Sequence, residues 1–138
     1  MGDPIGRESV VTEPDVRLDD LAHAVIGAAI EVHRELGPGY LESVYEDAMA
    51  VELELRGIPF RRQVGMTVMY KGRPVGEGRF DMLVANDLVV EYKAVESLLP
   101  VHFAQVLSYL KAGRLRLGLL INFNVPLLKE GIKRVIRS

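Results

Sequence analysis

The sequence contains no cysteine. Disulfides, thiolate zinc sites and cysteine nucleophiles are therefore excluded, in keeping with a reducing cytoplasm. No apolar run approaches the roughly 18 residues that a membrane span requires, and no signal-peptide core is visible. A cytoplasmic protein without a membrane partner is the expectation. An excess of positive charge is lacking too. The formal net charge is -2, so a polyanion partner would have to meet a local basic patch. Internal repeats, low-complexity segments and a second-domain linker are not found. The chain of 138 residues is long enough for one domain with a core and too short for two ordinary ones. What is present is the balance of a globular protein, 49% hydrophobic and 26% charged.

Residues 1–17 lack periodicity and carry two prolines, which reads as a tail or loosely attached arm before a domain spanning 18–138. From Leu18 the apolar spacing of Leu21, Val25, Ala28, Val32 and Leu36 predicts a helix, with Asp19 or Asp20 as cap and Gly37 as its end. After the break at "GPGY", Tyr45, Met49 and Leu53, with Val44, Ala48, Val51 and Leu55, give a second helix a broad apolar face. From Phe60 the period becomes two, and Phe60, Val64, Met66, Val68 and Tyr70 mark one face of a strand. "KGRP" turns into a second strand, about Val75 to Ala85, and "AND" turns into a third, "LVVEYKAV". The three form an antiparallel meander. "VHFAQVLSYLKAG" reads as a helix with Pro100 in its first turn and Ser97 as cap. "LRLGLLINFN" reads as a buried strand, and "PLLKEGIKRVIR" as a short amphipathic helix with a basic end. The order is that of an α/β layered domain.

Three ionisable residues stand among residues suited to burial: Asp81, Glu91 and Lys93. Glu91 and Lys93 are two apart in a strand, so they leave the same face. Asp81 lies on the preceding strand. Converging carboxylates are hard oxygen donors for Mg²⁺ or Mn²⁺, and the Tyr92 carbonyl could add a ligand. Lys93 could then orient a water or stabilise a pentavalent oxyanion. This arrangement makes a demand on register. A two-residue turn at Asn86-Asp87 would set Asp81 opposite Tyr92 and aim it away from Glu91 and Lys93. The site requires an odd-length loop or a β-bulge.

Asp81 followed by Glu91-Tyr92-Lys93 resembles the core motif of the PD-(D/E)xK nuclease superfamily. "GYLESVY" is similar to the signature of the GxxExxY protein family, with Gly39, Glu42 and Tyr45 at the named positions, and Gln105-x-x-x-Tyr109 resembles a motif that follows the catalytic strand in exonuclease-like branches. The chain departs from the pattern where Arg79-Phe80-Asp81 replaces Pro-Asp. The resemblance covers nearly everything from Leu18 onward. It implies a restriction-endonuclease-like αβββαβ core, a three-stranded antiparallel meander plus a further strand flanked by helices. It also implies a Mg²⁺-dependent phosphodiesterase, a nuclease acting on DNA or RNA. Carried onto this chain, Asp81 and Glu91 would be metal ligands, Lys93 the catalytic lysine, and Glu42 an accessory acid reaching the metal through water. Gln105 would position Lys93 or a substrate phosphate, and Tyr109 would support the site or touch the nucleic-acid backbone.

Plainer readings stand beside these. Glu91 and Lys93 could be a solvated pair on an edge strand, and Glu42 a charge favourable to its helix dipole. Tyr45 suits a core position, and Gln105 and Tyr109 could bond each other. His102 reads as an exposed helix residue, and His23 and His33 lie far from the carboxylates in sequence. Arg61, Arg62, Lys111 and Arg114 would form a phosphate-backbone groove if they gathered around the site. The rival function is a catalytically inactive nuclease-fold module that binds nucleic acid or a protein partner. A third is a structural subunit, a homo-oligomer formed through a strand edge or the N-terminal arm.

Overall fold

The computed structural model describes residues 16–138; of the expected N-terminal arm, only Val16 and Arg17 fall inside that range, and both belong to the first helix. Helices α1 (Val16–Leu36) and α2 (Glu42–Leu55) cover one face of a five-stranded sheet, and α3 (Pro100–Gly113) lies against the other. The strands are β1 (Phe60–Tyr70), β2 (Arg73–Val84), β3 (Leu88–Lys93), β4 (Leu117–Asn122) and β5 (Ile132–Ile136), side by side in chain order. β1, β2 and β3 form the expected antiparallel meander. β3 and β4 run parallel, with α3 as the crossover that such a pair requires. Among the described residues no helix is long and apolar enough to cross a membrane.

Local pattern explains most of these elements. On α2, Tyr45, Met49 and Leu53 recur every fourth residue and are buried as one stripe. That stripe is narrower than expected. Val51 is 57% and Leu55 77% exposed, because a helix resting on a sheet buries one line of side chains. β3 and β4 are covered on both faces, which is why each reads as a nearly unbroken apolar run. The start of α3 differs from expectation: Leu99, not Ser97, is its N-cap residue. There His102 Nδ1 accepts the Leu99 N–H at 2.9 Å, so the side chain three residues into the helix, and not a serine hydroxyl, caps its start.

The C-terminal segment overturns an expectation. It folds not as an amphipathic helix but as a short 3₁₀ turn (Leu128–Gly131) followed by β5, antiparallel to β4. Two physical causes combine. Ile132, Val135 and Ile136 are β-branched, and β4 without β5 would expose a row of unpaired backbone groups. Gly131 makes the close passage workable. A Cβ built there would lie 2.3 Å from the Asn122 carbonyl oxygen, so the chain turns against β4 only without a side chain.

The sheet has two cores, and β1 and β2 change allegiance between them at the same level. In β1, Phe60 packs with the α1/α2 core, whereas Val64 and Met66 pack with the α3 core. In β2, Met82 and Val84 belong to the first core, whereas Phe80 belongs to the second. Strict alternation keeps residues of one parity on one face, so each strand breaks it at this level. The breaks fall at Gln63, which has φ 51°, and at its opposite number Asp81. The expected single apolar face of β1 is therefore divided, and Val68 and Tyr70 beyond the break are exposed.

Candidate active site

The hairpin joining β2 to β3 has a three-residue loop, Ala85-Asn86-Asp87, which closes on a Val84–Leu88 pair. Ala85 and Asn86 take left-handed conformations, φ 51° and 58°, and the Asp87 N–H donates to the Val84 carbonyl at 3.0 Å. The odd count meets the demand that the site makes on register. The regular ladder stops at Met82–Val90. On the next rung side chains replace main-chain pairing: the Asp81 N–H donates to Glu91 Oε2 at 2.8 Å, and the Tyr92 N–H donates to Asp81 Oδ2 at 2.9 Å. Each carboxylate is thus fixed by the backbone of the strand opposite. The two backbone donors left by the splayed strands are also satisfied, as buried groups must be.

Burial and mutual repulsion set the electrostatics. Glu91 is only 4% exposed. Its carboxyl is pushed up to about 8, first by burial and then by the Asp81 charge, while Lys93 and the Asp81 N–H pull the other way. Asp81 is also raised, chiefly by burial, against the Tyr92 N–H, a Gln63 hydrogen bond and Lys93. Burial and the neighbouring Asp81 charge thus both favour the acid form of Glu91.

Glu42, the first residue of α2, reaches the same place. Burial is the largest cause of its raised pKa; Lys93 pulls it down, the Asp81 and Glu46 charges push it up, and the nearby Ala94 N–H lowers it slightly. The Gly39, Glu42 and Tyr45 spacing follows from this placement. Gly39 takes φ +112°, open to glycine and strained for other residues. The Tyr45 ring stacks on Phe123 at 4.5 Å with planes 4° apart, and its hydroxyl donates to the Gly37 carbonyl at 2.6 Å and accepts the Tyr40 N–H at 3.2 Å. Tyr45 therefore fastens the "GPGY" loop to the core, and Glu42 lies three residues before it, facing β3.

Two further residues stand at the site that the sequence reading did not single out. Glu46, one helical turn after Glu42, accepts the Gln63 side-chain amide at 3.1 Å and the Arg62 guanidinium at 2.9 Å. Gln63 faces Asp81 across the β1–β2 pair, near enough to lower its pKa. The four-residue spacing of Glu42 and Glu46 was a readable signal, since such pairs share a helix face. The place of Gln63 was hidden by a bulge between Val68 and Met69.

The remaining candidates are distributed as follows. Arg62 is engaged by Glu46 and Asp47, whose hydrogen bonds raise its pKa. Arg61 lies at the hairpin loop, donating to Asn86 Oδ1 at 3.0 Å. Gln105 is exposed and donates to the Tyr109 hydroxyl at 3.4 Å, while the Tyr109 ring packs edge-on against Phe80, beside Asp81. The Tyr92 ring is buried, its hydroxyl against Met82 Sδ at 3.1 Å. His33 is buried against the Val125 carbonyl at 2.8 Å, and His102 caps α3.

Among the described residues, no three His, Asp or Glu side chains gather closely enough to enclose a cation by themselves. Two buried carboxylates on one rung nevertheless suit a hard divalent cation, which would relieve the burden of the Asp81 charge on Glu91. The donor set thus fits a metal held by Asp81 and Glu91, with Glu42 contributing charge at longer range. A search of curated proteins finds no match to the sequence. The family model of the PD-(D/E)XK nuclease superfamily matches residues 19–135, nearly the whole described chain and all of the rung built on Asp81 and Glu91. The chain belongs to the PD-(D/E)XK nuclease superfamily.

Proposed function

We propose that this domain is a Mg²⁺- or Mn²⁺-dependent nuclease that hydrolyses phosphodiester bonds in DNA or RNA, of the GxxExxY branch. The observation that carries the reading is the rung on which Asp81 and Glu91 are each held by a backbone N–H of the opposite strand, beside Lys93 and Glu42. When bound, the cation would polarise a phosphoryl oxygen and acidify water. Asp81 and Glu91 would hold it, each already oriented by a backbone N–H from the opposite strand. The Lys93 ammonium, beside both, would orient the attacking water and offset negative charge growing on the phosphate. Glu42 would keep the lysine charged and directed inward, and the Ala94 N–H would keep Glu42 in place. Gln63 and Glu46 would support Asp81 from the β1 side.

Cleavage of labelled DNA and RNA with Mg²⁺, Mn²⁺ or EDTA tests this, comparing the parent with Asp81→Asn and Lys93→Ala. We expect metal-dependent cleavage that falls at least ~100-fold in each variant, the scale of losing a stabilising group at a reacting centre. Equal rates in all three proteins would identify a contaminant and remove the assignment. The missing third carboxylate favours a second reading, an inactive nuclease-fold module. Mn²⁺ titration calorimetry separates the two, because the module would give no heat at millimolar metal.

A further inference from the structure

Beyond the Gln63–Asp81 rung, β1 and β2 continue as a hairpin that packs on α3. Between β1 and α3 runs a groove of about 420 Å³ bordered by Thr67, Met69, Ser108, Lys111 and Arg114. Its polar lining is two hydroxyls and two cations, with no carboxylate. The groove between α1 and α2 is the opposite case, with Glu31, Glu35 and Glu52 along its wall. Among the described residues Arg17, Arg34, Arg56, Arg62 and Arg134 form ion pairs, and neither Lys111 nor Arg114 is in one.

Arg114 has a second peculiarity. It ends α3 in a left-handed conformation, φ 59°, the place where helices commonly use glycine. A residue with a Cβ carries a conformational cost there, and here that residue extends a cation into the groove. Cations also complement a helix C-terminus, but that use needs neither the hydroxyls nor an arginine at positive φ. Gln105, Ser108 and Lys111 are exposed at successive turns of α3, on the helix whose Tyr109 packs against Phe80, the neighbour of Asp81 in β2. Thr67 is four residues from Gln63 along β1, about 13 Å at about 3.3 Å per residue. That distance matches the rise of about four nucleotides of duplex.

We infer that this groove is a subsite for the phosphodiester backbone of a nucleic acid, contacted a few nucleotides from the Asp81–Glu91 rung through Lys111, Arg114, Thr67 and Ser108. The inference rests on the nuclease reading above, and it names where substrate outside the reacting bond is held.

The test is anisotropy of labelled single- and double-stranded oligonucleotides in EDTA across a KCl series, comparing wild type with Lys111→Gln/Arg114→Gln. Loss of two phosphate contacts should lower the slope of log affinity against log salt by about 1.4 for single strands and about 1.8 for duplex. Arg114→Gly guards against misfolding: it should weaken binding while raising the melting temperature, because glycine relieves the left-handed residue. An unchanged slope in the double variant overturns the inference, as does absence of wild-type binding at low salt. Poly-glutamate competing as well as the oligonucleotide also overturns it, because the groove would then suit an acidic protein. Since binding is read without metal, the two proposals fail separately. Cleavage with an unchanged slope removes the groove alone, whereas a lowered slope without cleavage removes the nuclease reading and leaves a nucleic-acid contact.

Discussion

Replacing Glu91 by glutamine should make the metal-free protein more stable at alkaline pH, although it removes a proposed metal ligand. In the folded chain the Glu91 carboxyl is raised from 4.5 to about 8. Between those values the folded protein binds a proton that the unfolded chain has released. Its contribution to stability is therefore complete below pH 4.5 and is lost as the pH rises through about 8. A difference of about 3.5 pH units corresponds to about 5 kcal/mol. Water entering the splayed strand ends reduces this, and we expect about 2–4 kcal/mol. Glutamine keeps a carbonyl to accept the Asp81 N–H and offers its amide to the Asp81 carboxylate, so the rung survives without the second charge. Urea unfolding in EDTA at several pH values from 5 to 9, followed by circular dichroism, measures the effect. The two proteins should coincide near pH 5 and separate progressively above it. Parallel curves, or a variant less stable throughout, would refute the account of Glu91 as a buried carboxyl that holds its proton beside Asp81. Added Mn²⁺ at pH 8 should stabilise wild type and leave the variant almost unmoved.

Two other substitutions probe the scaffold around the rung. Tyr45→Phe keeps the stack on Phe123 and deletes the hydroxyl shared by Gly37 and Tyr40; it should cost about 1–2 kcal/mol in denaturant unfolding and reduce metal-dependent cleavage by loosening Glu42. Gly131→Ala places a methyl 2.3 Å from the Asn122 carbonyl; it should cost at least ~2 kcal/mol, read as a lower urea midpoint, and a neutral result would show that β5 can move away from β4.

Much of this architecture is legible because apolar periodicity is local. The stripe on α2, the largely apolar β3 and β4, and the meander all follow from spacing alone. The need for an odd loop before Glu91 was readable for the same reason, since alternation converts a count into a face. Legibility ended where distant groups decide. The Lys71-Gly72 turn pairs Tyr70 with Arg73, and that count alone would set Gln63 opposite Phe80. One bulged residue moves it to Asp81 and so into the site. The C-terminal strand was hidden likewise, because a short apolar and basic segment suits a helix until the open edge of β4 is known. The ion pairs of Arg62 with Glu46 and Asp47 are likewise revealed by no one-dimensional count.

The exchange of faces at Gln63 and Asp81 bears on how such a protein can change over time. On the rung's near side, β1 and β2 belong to the core that fixes the carboxylates; on its far side they rest on α3. Lengthening, shortening or recolouring the far hairpin leaves the spacing from Asp81 to Glu91 untouched, because that spacing is set by the separate loop at Ala85-Asn86-Asp87. On the readings proposed above, substrate contact and bond cleavage would be written in two successive hairpins of one meander. A new grip on nucleic acid would then be tried in the far hairpin, provided that the register setting Gln63 opposite Asp81 is kept.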